Sequence, residues 1–254
     1  MRRLTRRLVR LALLTALAIS GLIIQLAVFP LVRIAHRRVI IAGWSTLLLR
    51  ACGLVLVVRD EGAAAGRPLA AIAPGRMLVA NHLSWLDIFA INAIATSAFV
   101  AKAELRSWPL AGWLAALAGT VFIERGRRHA VHRVIETLKR RIRERFPVAL
   151  FPEATTTDGS SLLPFHGNLL EAAVAEGAEV VPIALRYLDG DGKPAAAALF
   201  VGDTTFVASI WSVLGASGLR VEVDVLVAEP ADGRNRHELA KALHARLSRR
   251  LGGC

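Results

Sequence analysis

Met77-Leu-Val-Ala80-Asn81-His82-Leu83-Ser84-Trp85-Leu86-Asp87 is the stretch on which the fold turns. Its first four residues are apolar without alternation, the pattern of a strand covered on both faces. The polar residues that follow leave the strand at its carboxyl end. In open α/β sheets reactive groups gather there, so His82 is placed where a base can work. Ser84 can cap a helix starting just after it, with Asp87 in the first turns. His82 and Asp87 are five apart, about 140° around a continuous helix. They meet only if His82 sits on the turn before the helix. A carboxylate at Nδ1 would then fix the tautomer and stabilise the charge formed when Nε2 takes a proton. Taken alone, a histidine and an aspartate at this spacing are equally a capped surface loop.

Outward from this segment, short β-rich runs alternate with helical ones. Further strands are expected at Ala98–Ala101, Thr120–Ile123, Val148–Phe151, Val180–Leu185, Ala198–Val201 and Val221–Val227, with Leu54–Val58 turning into a first strand. Helices are expected between them. Val131, Val134, Ile135, Leu138 and Ile142 repeat at helical spacing, as do Leu239, Leu243, Leu247 and Leu251. Gly167–Glu176 reads as a helix, and Asn235 with Glu238 three residues later is a candidate cap. Residues 61–75 are rich in Ala, Gly and Pro and read as a loop. The expected fold is α/β, a mainly parallel sheet flanked by helices.

The amino-terminal quarter differs in composition. Residues 1–59 hold ten arginines and no acid, whereas the rest of the 254-residue chain is nearly neutral. Hydrophobic residues make up 54% of the chain and mean hydropathy is +0.48. Leu11–Val32 is free of charge and long enough to cross ~30 Å of hydrocarbon as a helix. Arginines flank it on both sides, which weakens any orientation rule. A second apolar run, Val39–Val58, allows either a single span or a helical hairpin dipping into one leaflet. Residues 1–58 are therefore read as a hydrophobic helical membrane anchor and 59–254 as an α/β domain. The basic apolar flank favours anionic phospholipid over nucleic acid as partner. Cys52 and Cys254 have no metal spacing, and His129, His132 and His166 have no second ligand spaced to help them, so no metal is expected.

Asn81-His82-x-Ser84-Trp85-x-Asp87 resembles the first motif of the glycerophospholipid acyltransferase family. Further blocks follow in the family's order. Lys102 follows the strand at Ala98–Ala101. Gly119-Thr-Val-Phe122-Ile123-Glu124-Arg125 resembles the second motif, Phe151-Pro152-Glu153-Ala154-Thr155 the third and Val181-Pro182-Ile183 the fourth. The resemblance covers about residues 77–186.

It implies that His82 deprotonates an acceptor hydroxyl as that hydroxyl attacks an acyl thioester, with Asp87 supporting His82. Lys102 and Arg125 would hold the acceptor's phosphate. Glu153 and Thr155 would bind the glycerol or shape the site, although a glutamate there is equally a capping acid. Backbone amides near residues 153–156, or at the helix start after His82, are candidates for the oxyanion. The donor would be acyl-CoA or acyl carrier protein, the acceptor 1-acyl-glycerol-3-phosphate, and the place a membrane, with no metal or redox cofactor. Two positions depart from the family's pattern: Ala154 stands where glycine is usual, and Thr156 where arginine is frequent. Both bear on the acceptor's headgroup and leave another lyso-lipid, such as lyso-ornithine lipid, open. A lipid hydrolase and a non-enzymatic lipid-binding protein are the competing classes. Ser84 lies outside any Gly-x-Ser-x-Gly elbow, which argues against the common hydrolase.

Overall fold

The computed structural model describes residues 2–61, 74–108, 111–117, 119–124 and 128–252. Its centre is a mixed sheet whose strands lie in the order β1 (Leu54–Asp60), β7 (Leu219–Val225), β6 (Glu179–Leu188), β2 (Met77–Ala80), β5 (Val148–Leu150), β3 (Ala98–Lys102) and β4 (Val121–Ile123). From β6 to β4 all neighbours are parallel. β7 and β1 are parallel to each other, but β7 runs antiparallel to β6. A two-residue strand β8 (Glu229–Pro230) also pairs with β6.

The apolar run of β2 is buried on both faces, as its lack of alternation predicts. Leu78 and Ala80 join the core beneath α2 (Ile34–Ala51), α3 (Asp87–Ile94) and α7 (Phe206–Gly215). Met77 and Val79 join the core beneath α5 (Arg128–Arg143), α6 (Glu171–Ala175) and α8 (Arg236–Gly252). The helical stripe read from the sequence is the buried one: Val134, Ile135, Leu138 and Ile142 face inward from α5, and Leu239, Leu243 and Leu247 from α8. The Asn235 cap is present, its Oδ1 accepting from the amides of His237 at 2.9 Å and Glu238 at 3.0 Å.

Ala198–Val201 is not a strand. Ala196–Ala198 forms a 3-10 turn. The backbone beyond it bonds to loops instead of a sheet edge: the Phe200 amide donates to the Leu83 carbonyl at 2.9 Å, and the Thr156 hydroxyl donates to the Phe200 carbonyl. Gly167–Glu176 begins as a 3-10 turn before α6. β1 carries the chain across residue 58, so the last residues of the expected anchor segment form the sheet's edge strand. Most of the loop expected at 61–75 lies outside the described residues, as does Cys254.

α1 (Arg2–Ile23) continues through a π turn and a 3-10 turn to Leu31. Together they form a stretch of 29 residues, Arg3–Leu31, long and apolar enough to cross a membrane. Leu4, Leu8, Ile19, Ile23 and Leu26 are exposed on it. Its opposite face packs on α2, where the Trp44 indole donates to the Leu17 carbonyl at 3.0 Å. Gly21 makes room there, since a Cβ would approach the Trp44 ring to 3.0 Å.

The arginines of α1 reach the rest of the molecule. Arg6 donates to the Gly215 carbonyl at 3.2 Å, and Arg10 to the carbonyls of Leu214 at 3.2 Å and Ala216 at 2.6 Å. Arg7 donates to the Trp211 carbonyl and lies 4.6 Å over that indole. The carboxyl end of a helix leaves carbonyls without partners and carries partial negative charge. Arg6 and Arg10 satisfy that end of α7, and Arg7 adds a contact one turn back. Replacing Arg6 and Arg10 together by alanine should loosen the last turn of α7. Hydrogen exchange of its amides should speed up about tenfold, as expected for about 1.4 kcal/mol of lost bonding; unchanged exchange would mean that solvent replaces the arginines without cost.

Candidate active site

The parallel strands β2, β5, β3 and β4 end on one edge of the sheet: His82 and Asp87 follow β2, Glu153 and Thr155 follow β5, and Lys102 ends β3, while the fourth motif, Val181-Pro182-Ile183, lies within β6. Asn81 continues β2 with its side chain. Its Nδ2 donates to the Leu185 carbonyl at 3.1 Å, and its Oδ1 accepts from the Leu185 amide at 2.8 Å. That exchange copies a ladder pair, so β2 stays fastened to β6 while its backbone turns away.

The turn that follows is closed by Asp87, whose side chain is fully buried. Its Oδ2 accepts from the amides of Leu83 at 2.7 Å and Ser84 at 2.9 Å and lies 2.8 Å from Nδ1 of His82. Its Oδ1 accepts from the Tyr187 hydroxyl at 2.7 Å. Ser84 supports the same turn, its carbonyl accepting from the Asp87 amide and its Oγ from the Leu86 amide. His82 therefore sits on the turn before the helix, the one arrangement in which the five-residue spacing brings the pair together.

With Nδ1 donating to a carboxylate, Nε2 is the bare, accepting nitrogen of the neutral ring. Among the described residues Nε2 has no partner. The imidazole stacks on Phe151 with centroids 4.0 Å apart and planes 11° apart, and its side chain keeps 20% of its surface exposed. A ring held by one carboxylate and one aromatic face, with its basic nitrogen open, can take a proton from a group brought to it.

Glu153 is buried and does not cap a helix. Its Oε1 accepts from the His82 amide at 2.8 Å and its Oε2 from the Leu163 amide at 3.0 Å. It thus ties the loop after β5 to the loop after β2. Burial pushes its carboxyl above the usual range, and the two amide donors pull it back.

The next residue, Ala154, has φ +60°, a left-handed conformation that favours glycine. A methyl group is thus carried in a conformation that glycine adopts without steric cost. Beyond it the amides of Thr155 and Thr156 donate to no group among the described residues, and backbone amides after a left-handed residue form a ready anion cradle. Of the alternative donors at the helix start, the amides of Leu83 and Ser84 are already engaged by Asp87, and those of Leu86 and Asp87 by Ser84. The Thr155 side chain is exposed.

Lys102 ends β3, exposed. β3 is separated from β2 by β5 alone, which sets the Lys102 end of the sheet about 10 Å from the His82 end at ordinary strand spacing. Arg125, expected after β4, lies outside the described residues.

Two participants were not singled out in the sequence. Tyr187 is the chain's one tyrosine, near the end of a largely apolar strand, a signal that composition alone offers. Thr156, which stands where the family's arginine is frequent, anchors the loop before α7 through its hydroxyl on the Phe200 carbonyl. Trp85 donates to Ser209 at 3.1 Å and meets Phe89 and Phe206 edge-on, with Trp108 5.2 Å from Phe206. This aromatic cluster connects the His82 turn to α7, the helix on which α1 is docked.

The family model described as Acyltransferase matches residues 70–186. A 1-acyl-sn-glycerol-3-phosphate acyltransferase of Neisseria meningitidis is 38% identical over 186 residues, 73% of this chain and 72% of the relative. A lyso-ornithine lipid O-acyltransferase of Pseudomonas aeruginosa is 39% identical over 195 residues, 76% and 72% of the two chains. In fold the chain resembles the crystal structure of a 1-acyl-sn-glycerophosphate acyltransferase from Thermotoga maritima. That likeness has a TM-score of 0.72 at 24% identity and covers 99% of this chain and 95% of the other.

Ala154→Gly should stabilise the protein by about 1 kcal/mol, because the left-handed penalty of a side chain outweighs the added freedom of the unfolded chain. Thermal unfolding in detergent micelles checks it; a lower melting temperature would show that the methyl group packs favourably enough to offset the strain.

Proposed function

This chain belongs to the glycerophospholipid acyltransferase family, and we propose that it moves a fatty acyl group from an acyl thioester to the free hydroxyl of 1-acyl-sn-glycerol-3-phosphate, giving phosphatidic acid. The observation that carries this is the His82–Asp87 pair, with Nε2 open at the sheet edge where Lys102 also ends its strand.

Nε2 of His82 removes the hydroxyl proton as the oxygen attacks the thioester carbon. The imidazolium so formed is stabilised by Asp87. The tetrahedral oxyanion is held by the amides of Thr155 and Thr156. On collapse the carbon–sulfur bond breaks, and the thiolate leaves with the proton from Nε2, yielding an ester and a free thiol. No acyl-enzyme is needed, and no metal or redox cofactor takes part; coenzyme A or acyl carrier protein enters as the carrier of the substrate acyl group. Lys102 and Arg125 receive the acceptor's phosphate. Glu153 shapes the site by holding the His82 backbone.

Substrate and product both partition into a bilayer, which favours an enzyme resting on one. The exposed apolar face of α1 and the excess of arginine in residues 1–59 suit a membrane containing anionic phospholipid. We place the protein at the inner or plasma membrane with the α/β domain on the cytoplasmic side, where both kinds of thioester donor are found.

A second acceptor has specific support. The Thr156 hydroxyl is used by the Phe200 carbonyl, so position 156 presents no cation to a phosphate. Relatives named for lyso-ornithine lipid match the chain as well as those named for the phosphate acceptor.

Membranes carrying the wild type should transfer labelled acyl groups to the lyso-lipid, and His82→Ala should lower the rate by about 10² or more. Equal rates would remove His82 from the chemistry, and release of free fatty acid alone would make the protein a hydrolase. Offering 1-acyl-glycerol-3-phosphate and lyso-ornithine lipid side by side decides the headgroup. Arg125→Ala should raise KM for the phosphate acceptor about tenfold or more with donor KM little changed; the reverse pattern would take Arg125 out of the phosphate site.

A further inference from the structure

Tyr187 lies in β6 with its side chain in the core between the sheet and α2 and α3. A phenylalanine would fill the same volume. Among the described residues the hydroxyl has one partner, Oδ1 of Asp87 at 2.7 Å. A buried phenol costs free energy to desolvate unless its hydroxyl is paired, and here it is paired with the carboxylate that orients His82. Asp87 has four donors on two oxygens. Three of them, the amides of Leu83 and Ser84 and the imidazole of His82, crowd Oδ2. Among the described residues Tyr187 alone occupies Oδ1, and it comes from a strand instead of from the turn that Asp87 itself closes.

We propose that Tyr187 is a positioning residue of the acyltransfer site: its hydroxyl locks the carboxylate plane so that Oδ2 faces His82, and it draws off part of the carboxylate's charge, setting how strongly His82 holds a proton. The function of this contact in catalysis rests on the acyltransfer reading above. Burial and the adjacent Asp87 raise the phenol's pKa well above the ordinary value, so the hydroxyl remains a donor throughout the working range. The other ionisable groups close to the pair are Glu153, which accepts from the His82 amide, and the Cys52 thiol near Tyr187 at the end of α2. Neither donates to Asp87, so neither replaces the lost hydrogen bond.

The test is Tyr187→Phe, which keeps the ring. With the phenol gone, more negative charge remains on Oδ2 and the imidazolium is held more tightly. NMR titration of histidine-labelled protein in micelles, with the His82 signal assigned by its loss in His82→Ala, should show the His82 midpoint rising by about half a pH unit or more. The acidic limb of the rate profile should move the same way. The looser carboxylate should lower kcat about three- to tenfold, with both KM values within about twofold of wild type. In an Asp87→Asn background, where the side chain is neutral, Tyr187→Phe should leave the His82 midpoint where it was.

A midpoint within about 0.2 units of wild type would overturn the inference. So would a shift that persists with Asn at 87, which would trace it to repacking. If wild-type protein transfers to no lyso-lipid, the acyltransfer reading fails, while the titration still decides whether Tyr187 acts on His82 through Asp87.

Discussion

A carboxylate withdrawn from solvent must collect hydrogen bonds or give up its charge, and Asp87 collects four. The amides of Leu83 and Ser84 can reach its Oδ2 only if the chain turns sharply between the end of β2 and the start of α3. That turn is what brings Nδ1 of His82 to the same oxygen. Hydrogen bonds to a charged group contribute about 1.5–3 kcal/mol each, so the loop holding the base is as firmly set as a piece of regular structure. Removing the carboxylate would leave the two amides without acceptors and the imidazole free to rotate. The geometry of the turn and the chemistry of the site depend on the same atoms.

The surrounding structure serves to keep this turn in register. Asn81 prolongs the β2–β6 pairing with its side chain just where the backbone departs. Glu153 reaches from the neighbouring strand to the His82 amide, so the loops after β2 and β5 move together. Parallel strand order does the rest. β2, β5, β3 and β4 are consecutive neighbours, and their carboxyl ends present His82, Glu153 and Lys102 along one edge. An imidazole at one end of that row and an ammonium further along it lie about two strand spacings apart.

The amino-terminal helix is joined to this frame by means that composition does not disclose. Arg6 and Arg10 donate to carbonyls at the end of α7 and Arg7 to one a turn earlier, and α7 packs through Ser209 and Phe206 on Trp85 of the His82 turn. The long apolar helix and the site are thus connected through two contacts in succession. A basic flank that reads as an attraction for lipid headgroups also caps a helix, because backbone carbonyls and phosphates compete for the same guanidinium donors.

Much of the molecule was legible in the chain alone. Continuous apolar runs marked the strands buried on both faces, since such strands have no polar side to alternate with. The stripes of α5 and α8 and the Asn235 cap followed from helical periodicity and side-chain reach. The five-residue spacing of His82 and Asp87 restricted them to a turn before a helix. Ala198–Val201 misled because local apolar character cannot say whether a backbone bonds to a strand or to a loop, and here its partners are Leu83 and Thr156, over a hundred and about forty residues away. Glu153 was ambiguous for the same reason, its two acceptor oxygens being divided between distant amides. Tyr187 is a hundred residues from Asp87, and nothing short of the folded sheet brings them together. Sequence determined most of the elements, the edge on which the motif residues gather and the spacing that pairs His82 with Asp87, because those follow from near-neighbour spacing and burial. Tertiary structure alone decided which groups hold His82 in place, because hydrogen bonds between chain-distant atoms exist only once the sheet has set their positions.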